Sequence, residues 1–247
     1  LEYGLPFGQD ELIEALLGVN KNLVLVLLSG NAVEMPWVSR VPAIVQGWYL
    51  GSMGGKSLAD ILSGAVNPSG KLPFSFPAKL TDCGAHAFDE LSYPGDSIKQ
   101  EYKEDILVGY RWHDTKKIPA LFPFGHGLSY TTFSYSDITL DKSSMNINGE
   151  ITATVTVTNT GKYDGSEVVQ LYIRDLIGSV TRPVKELKGF EKIFLKAGES
   201  KQVSFKLTAD MLKFYNYNLD FVCEPGDFEV MIGGDSRDVN KALFSLQ

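Results

Sequence analysis

Residues 151–158, ITATVTVT, place an apolar side chain at every second position and a threonine between, the period of a strand with one buried face. Three further runs, 167–174, 203–207 and 227–232, carry the same β character. Asn159-Thr160-Gly161, Lys196-Ala197-Gly198 and Glu224-Pro225-Gly226 separate the runs as turn signals. Short strands at this density, with no helical stretch among them, predict an all-β sandwich of about 110 residues. The change of character falls between residues 130 and 138 and divides the chain into 1–133 and 134–247.

Upstream of that boundary the periodicity is mixed. Leu12, Ile13, Leu16 and Leu17 share one face of a helix predicted over 9–17, which Gly18 stops. Residues 22–28 are too short for a buried helix and rich in Val and Leu, so they predict an interior parallel strand. A second such run, 43–49, ends at Gly51, and 56–62 returns to helical spacing with Gly64 in the stop position. Asn67-Pro68-Ser69-Gly70 reads as a turn. Helix, strand, strand and helix in this order imply an α/β sheet with crossovers. From 82 to 124, Pro94, Gly95, Pro119, Pro123 and a mixed-charge stretch over 99–105 predict an irregular functional or connecting segment.

Composition bounds the function. The chain has 247 residues, 44% of them apolar and 21% charged, which is globular. Its formal charge of -7 is spread without blocks, arguing against nucleic acid and anionic membranes as partners. The longest apolar run, 23–28, is far below the roughly 20 residues of a membrane span. Two cysteines, Cys83 and Cys223, exclude a four-cysteine zinc site and read as ordinary packed or surface thiols. Leu1 opens within a Gly- and Pro-containing segment without a basic leader, which reads as a cut in a longer protein.

Several blocks resemble, in order, the C-terminal half of glycoside hydrolase family 3. Leu5-Pro6 with Gln9-Asp10-Glu11-Leu12-Ile13 is similar to the opening of the family's second-domain helix. Asn67-Pro68-Ser69-Gly70-Lys71-Leu72-Pro73 with Phe76-Pro77, then Val108-Gly109-Tyr110-Arg111-Trp112, then residues 122–133, FPFGHGLSYTTF, resemble three more of its blocks. Residues 155–161, 186–190 and 225–230 are similar to its fibronectin type III-like domain. The resemblance implies an α/β sandwich domain, incomplete at its N-terminus, followed by an immunoglobulin-like β-sandwich. It also implies retaining hydrolysis of terminal β-linked sugars, as in a β-linked oligosaccharide or aryl glucoside, with no cofactor and a periplasmic or extracellular location. The family's nucleophilic aspartate lies in an N-terminal (β/α)8 barrel, which takes about 250 residues of its own. Its acid/base glutamate lies in an EGxDR-like block just before the LP matching Leu5-Pro6, and Glu2 lacks that pattern. No catalytic residue is therefore expected in this chain, its partner is a missing barrel, and alone it is expected to be inactive, because the reaction takes two carboxylates.

Substrate-facing candidates remain. Open α/β sheets bind ligands beyond the carboxyl ends of their strands, which selects the loops 29–34 and 49–55. Within the second, Ser52 and Met53 belong to Gly51-Ser52-Met53-Gly54-Gly55, similar to the family's GxEGG turn with Met53 at the glutamate position. The same glycines also suit a tight turn and nothing more. Lys56-Ser57 invites a phosphate-loop reading, which fails because Leu50 stands where that motif needs glycine. Glu101, Glu104 and Asp105 lie beside Tyr102 and Tyr110, a mixture suited to sugar hydroxyls and rings or to a solvated face. Glu104 is the first choice, and Tyr102 accompanies it. Trp37, Trp48 and Trp112 suit either stacking or core packing. His86, His113 and His126 lack metal-site spacing, and Ser29-Gly30 lacks a nucleophile elbow. A rival reading, a non-catalytic carbohydrate-binding or scaffolding module, would use Tyr172, Phe190, Phe194, Phe214, Tyr215 and Tyr217.

Overall fold

The computed structural model describes residues 3–247. They form two compact units. One contains the described residues up to Val66 with Phe76–Lys103 and Pro119–Leu121, and the other contains Asn67–Ser75, Glu104–Ile118 and Phe122–Gln247.

In the first unit, α1 (Gln9–Val19) precedes β1 (Val24–Leu27), β2 (Ala43–Gln46) and α2 (Gly54–Leu62). β1 and β2 pair in parallel, Val24 opposite Ala43 through Leu27 opposite Gln46. The second strand stops three residues earlier than the apolar run predicts. Gly47 donates its N–H to Leu27 O at 2.8 Å, and a Cβ there would stand 2.8 Å from Leu28 Cδ2, so the chain must turn away. Trp48 then adopts φ 54°, a left-handed conformation that a non-glycine residue holds only where its surroundings enforce it. The expectation of an interior strand also changes, since Val24 and Leu28 are exposed among the described residues. Short strands β3 (Phe76–Pro77) and β4 (Ala120–Phe122) follow in sequence, while α3 (Tyr110–Lys116), which lies between them in the chain, belongs to the second unit.

α3 corrects the reading of 82–124 as irregular throughout. Seven residues are too few for a periodic signal, and isolated helices of this length are not stable in water. Its position is therefore set by what it packs against. Gly109 at φ 60°, ψ −126° starts it, and Lys117 at φ 57° ends it.

The second unit holds the β-sandwich. Its strands are β5 (Phe133–Tyr135), β6 (Thr139–Leu140), β7 (Ser144–Met145), β8 (Glu150–Asn159), β9 (Gly165–Asp175), β10 (Glu186–Leu195), β11 (Ser200–Thr208), β12 (Phe214–Tyr215), β13 (Phe221–Val222), β14 (Gly226–Gly233) and β15 (Val239–Leu246). One sheet runs β10-β9-β14-β15-β7 and the other β11-β8-β5, with β6 also on β8, while β12 and β13 form a hairpin. The four strand runs read from the sequence are β8, β9, β11 and β14, each slightly longer than its run. A one-turn helix, α4 (Ala209–Leu212), interrupts what was expected to be helix-free. The alternation in β8 buries Ile151, Ala153, Val155 and Val157 against Leu171, Leu195 and Val230. Each valine, leucine or isoleucine among them contributes about 1.5–3 kcal/mol by leaving water. The fold is thus α/β followed by an immunoglobulin-like all-β sandwich.

Candidate functional site

Glu104 is buried, with 9% of its surface exposed, and its Oε2 accepts no hydrogen bond among the described residues. A buried carboxylate oxygen without a donor is costly, and such groups persist where a partner is expected. Its backbone lies in a turn. Leu107 N–H donates to Glu104 O at 3.1 Å, Asp105 takes φ 57°, and Leu107 is buried.

Downstream, α3 is clamped to the sandwich. Tyr110 Oη accepts the Leu187 N–H at 2.8 Å, where the β9–β10 register shifts at a bulge between Leu187 and Gly189. The Tyr110 ring packs 4.9 Å from Phe124 and 5.9 Å from Tyr172, centroid to centroid. Burial raises the Tyr110 phenol above its ordinary range, so it stays neutral at physiological pH. Tyr172 Oη donates to Gln170 Oε1 at 2.6 Å, and Gln170 Nε2 donates to Gly234 O at 2.6 Å. Thr115 Oγ1 accepts the Val184 N–H at 3.2 Å. Lys185 Nζ lies 3.4 Å from Asp114 Oδ2, an ion-pair distance without hydrogen-bond alignment. Burial raises the Asp114 carboxyl, and the Lys185 charge only partly offsets this. His126, between its two glycines, lies 3.7 Å from Asp235 Oδ2. Burial opposes ionisation of Asp235, yet His126 and the N–H groups of Asp238 and Arg237 outweigh it and hold the carboxyl below its usual range.

Two distant sequence blocks also meet in this unit. Asn67 Oδ1 accepts from Ser129 Oγ and from Tyr130 N, both at 2.8 Å, and Asn67 Nδ2 donates to Asp164 O at 2.9 Å.

The first unit carries the strand-end loops. Ser52 and Met53 are exposed directly before α2, with Met53 in its N-cap position. Tyr49 lies over Gly30, where a Cβ would meet its ring at 2.9 Å. Gln46 Nε2, at the end of β2, donates to Ser29 O at 3.2 Å and Ser29 Oγ at 3.1 Å, which ties that strand end to the first loop, while Gln46 Oε1 is buried without a donor among the described residues. Tyr102 is exposed, and Glu101 forms a surface network with Lys99 at 2.6 Å and Lys103 at 3.4 Å. Hydrogen bonds from Lys99 and then Lys103 hold the Glu101 carboxyl below its usual range. Ser52 and Met53 thus share a loop, Glu101 and Tyr102 share a surface, and Glu104 alone of the five is buried.

Other candidates resolve as packing. Trp37 is fully buried and donates to Asp10 Oδ1 at 2.7 Å, and Trp112 is buried. His113 Nδ1 lies 3.0 Å from Ile118 O, and His86 packs edge-on against Tyr93. Among the described residues, no three His, Cys, Asp or Glu side chains converge as a metal site. Glu2, considered for the acid/base role, lies outside the described residues. Sequence reasoning missed Gln46 and Gln170, whose roles depend on contacts that no local motif encodes.

Residues 2–130 match the glycosyl hydrolase family 3 C-terminal domain, and residues 167–236 match a fibronectin type III-like domain. The chain belongs to glycoside hydrolase family 3. The β-glucosidase BoGH3A of Bacteroides ovatus is 60% identical over 240 residues, covering 97% of this chain and 32% of that protein. The periplasmic β-glucosidase of Salmonella typhimurium is 43% identical over 245 residues, covering 98% and 31% respectively. DesR, a β-glucosidase from Streptomyces venezuelae solved in complex with D-glucose, superimposes with a TM-score of 0.91 at 40% identity, over 99% of this chain and 31% of that one. This family 3 chain therefore spans about a third of the length of the relatives it matches. No helix among its described residues is long and apolar enough to cross a membrane.

Proposed function

We propose that this chain is the C-terminal portion of a retaining β-glucosidase that removes terminal β-linked sugars outside the cytoplasm, and that it is inactive by itself. The observation carrying this reading is the match along 97% of the chain to a protein named as a β-glucosidase. Retention takes one carboxylate to attack the anomeric carbon and a second to act as acid and then base, about 5 Å away. Both are assigned to a barrel and loop outside these residues. Glu104 is the first choice for a side chain that meets the sugar, since a carboxyl group hydrogen-bonds sugar hydroxyls. Ser52, Met53 and Tyr102 are the further candidates, the last for stacking on a ring face.

The test is release of the aglycone from an aryl β-glucoside by the natural gene product and by residues 1–247. Hydrolysis by the first alone, with the β-anomer appearing first by NMR, is the expected result. Turnover by residues 1–247 above a blank would refute their inactivity, and initial release of the α-anomer would refute retention.

A further inference from the structure

We infer that Tyr110 is a positioning residue through which the β-sandwich sets the placement of Glu104. This rests on the proposed role of Glu104 at the sugar. Glu104 precedes a stretch with little structure of its own, in which Leu107 is a buried anchor and Gly109 bends the backbone into a conformation other residues avoid. The seven-residue α3 has no side-chain cap at its start and cannot hold itself in place. Tyr110 is the first helical residue, six positions after Glu104, and its hydroxyl meets the sandwich at one backbone group, the Leu187 N–H beside the β-bulge. Leu187, still paired with Tyr172, sits beside that bulge on the edge strand β10, and its N–H holds a side chain from another segment.

The seat beneath Tyr110 is itself rigid. Tyr172 is fully buried, and its hydroxyl is held by Gln170, which is held in turn by the carbonyl of Gly234. Gly125, at φ 80°, has no room for a Cβ because Gln170 Oε1 occupies that space at 2.2 Å. A series of contacts therefore runs from Gly234, just after β14, through Gln170 and Tyr172 to Tyr110, and the six-residue covalent segment carries it on to Glu104. A displacement of about 1 Å at a substrate-binding group is enough to cost up to 100-fold in rate, so the fixed seat has a functional consequence beyond stability.

The test uses the natural full-length gene product with an aryl β-glucoside, comparing wild type with Tyr110→Phe, Glu104→Gln and the double variant. Tyr110→Phe keeps the ring contacts and removes the acceptor of the Leu187 N–H. Expected are a five- to tenfold fall in kcat/KM for Tyr110→Phe, a larger fall for Glu104→Gln, and less than a twofold further fall when Tyr110→Phe is added to Glu104→Gln. Multiplying effects would overturn the inference, because Tyr110 would then act independently of Glu104. Unchanged kinetics per folded molecule, with only a lowered Tm, would also overturn it by making Tyr110 purely structural. Wild-type activity in Glu104→Gln would sink the proposed role of Glu104 itself, and absence of activity in the wild type would sink the β-glucosidase reading.

Discussion

Asn159→Ala tests how the end of β8 is held. Asn159 is fully buried, and both ends of its amide are used. Oδ1 accepts from Thr131 Oγ1 at 2.6 Å and from Gly161 N at 3.1 Å, while Nδ2 donates to Tyr163 O at 2.8 Å and Leu195 O at 3.1 Å. Alanine removes all four hydrogen bonds at about 1 kcal/mol each, so the loss is about 4 kcal/mol. In a protein of this size about 1 kcal/mol moves Tm by roughly 2–4 °C, which sets a drop of roughly 8–16 °C. Urea titration followed by circular dichroism should show a lower midpoint at an unchanged slope. Asn159→Asp keeps the acceptor but sets a carboxylate against two carbonyls, so at neutral pH it should be at least as damaging. A loss below about 1 kcal/mol for Asn159→Ala would show that water or local movement replaces these bonds, and the reasoning would fail.

Gly125→Ala adds a left-handed penalty of about 1–2 kcal/mol to an overlap with Gln170 worth about 1–3 kcal/mol, so thermal melts should show a loss of at least 2 kcal/mol; a neutral variant would mean that Gln170 is not held. Asp235 has a folded pKa below its unfolded one, so its contribution is present above about pH 4 and is lost as pH falls through the folded value. Urea midpoints measured down that range should fall less steeply for Asp235→Asn than for wild type, and parallel curves would remove His126 and the turn as its stabilisers. Tyr172 and Phe214 are buried while Phe190, Phe194, Tyr215 and Tyr217 are exposed, which leaves the carbohydrate-module reading only the last four. Intrinsic fluorescence of residues 1–247 should stay flat with β-linked oligosaccharides; a saturable change abolished by Tyr215→Ala with Tyr217→Ala would favour that module instead.

Legibility followed the range of the interaction. β8 could be read because its burial alternates without interruption from Ile151 to Asn159, a pattern local to one strand. β10 was missed because the Leu187/Gly189 bulge breaks the period and its exposed positions carry Phe190 and Phe194 beside Lys192, which blurs the alternation. β15 was missed too, its VNKALFSL carrying exposed Lys241 and Leu243 that blur the alternation. Gly64 was legible as a helix stop since φ 78° is a local demand of the chain. Trp48 was not, because its φ follows from how closely Gly47 approaches Leu27 and Leu28 in the neighbouring strand.

The same distinction separates the site residues. Glu101 and Glu104 sit in one charged stretch and share a composition, yet Glu101 pairs with lysines at the surface and Glu104 is buried with one oxygen that has no partner among the described residues. Nothing within three residues of either predicts this. The difference arises where Asp105 reverses the backbone and Leu107 and Tyr110 are drawn inward, the tyrosine by a strand some 77 positions away. A motif such as VGYR therefore marks the anchor more reliably than it marks the group being anchored. If the anchor is what the spacing encodes, Glu104 owes its orientation to the β-sandwich, and substitutions at the Tyr110 seat should alter sugar recognition while sparing the fold.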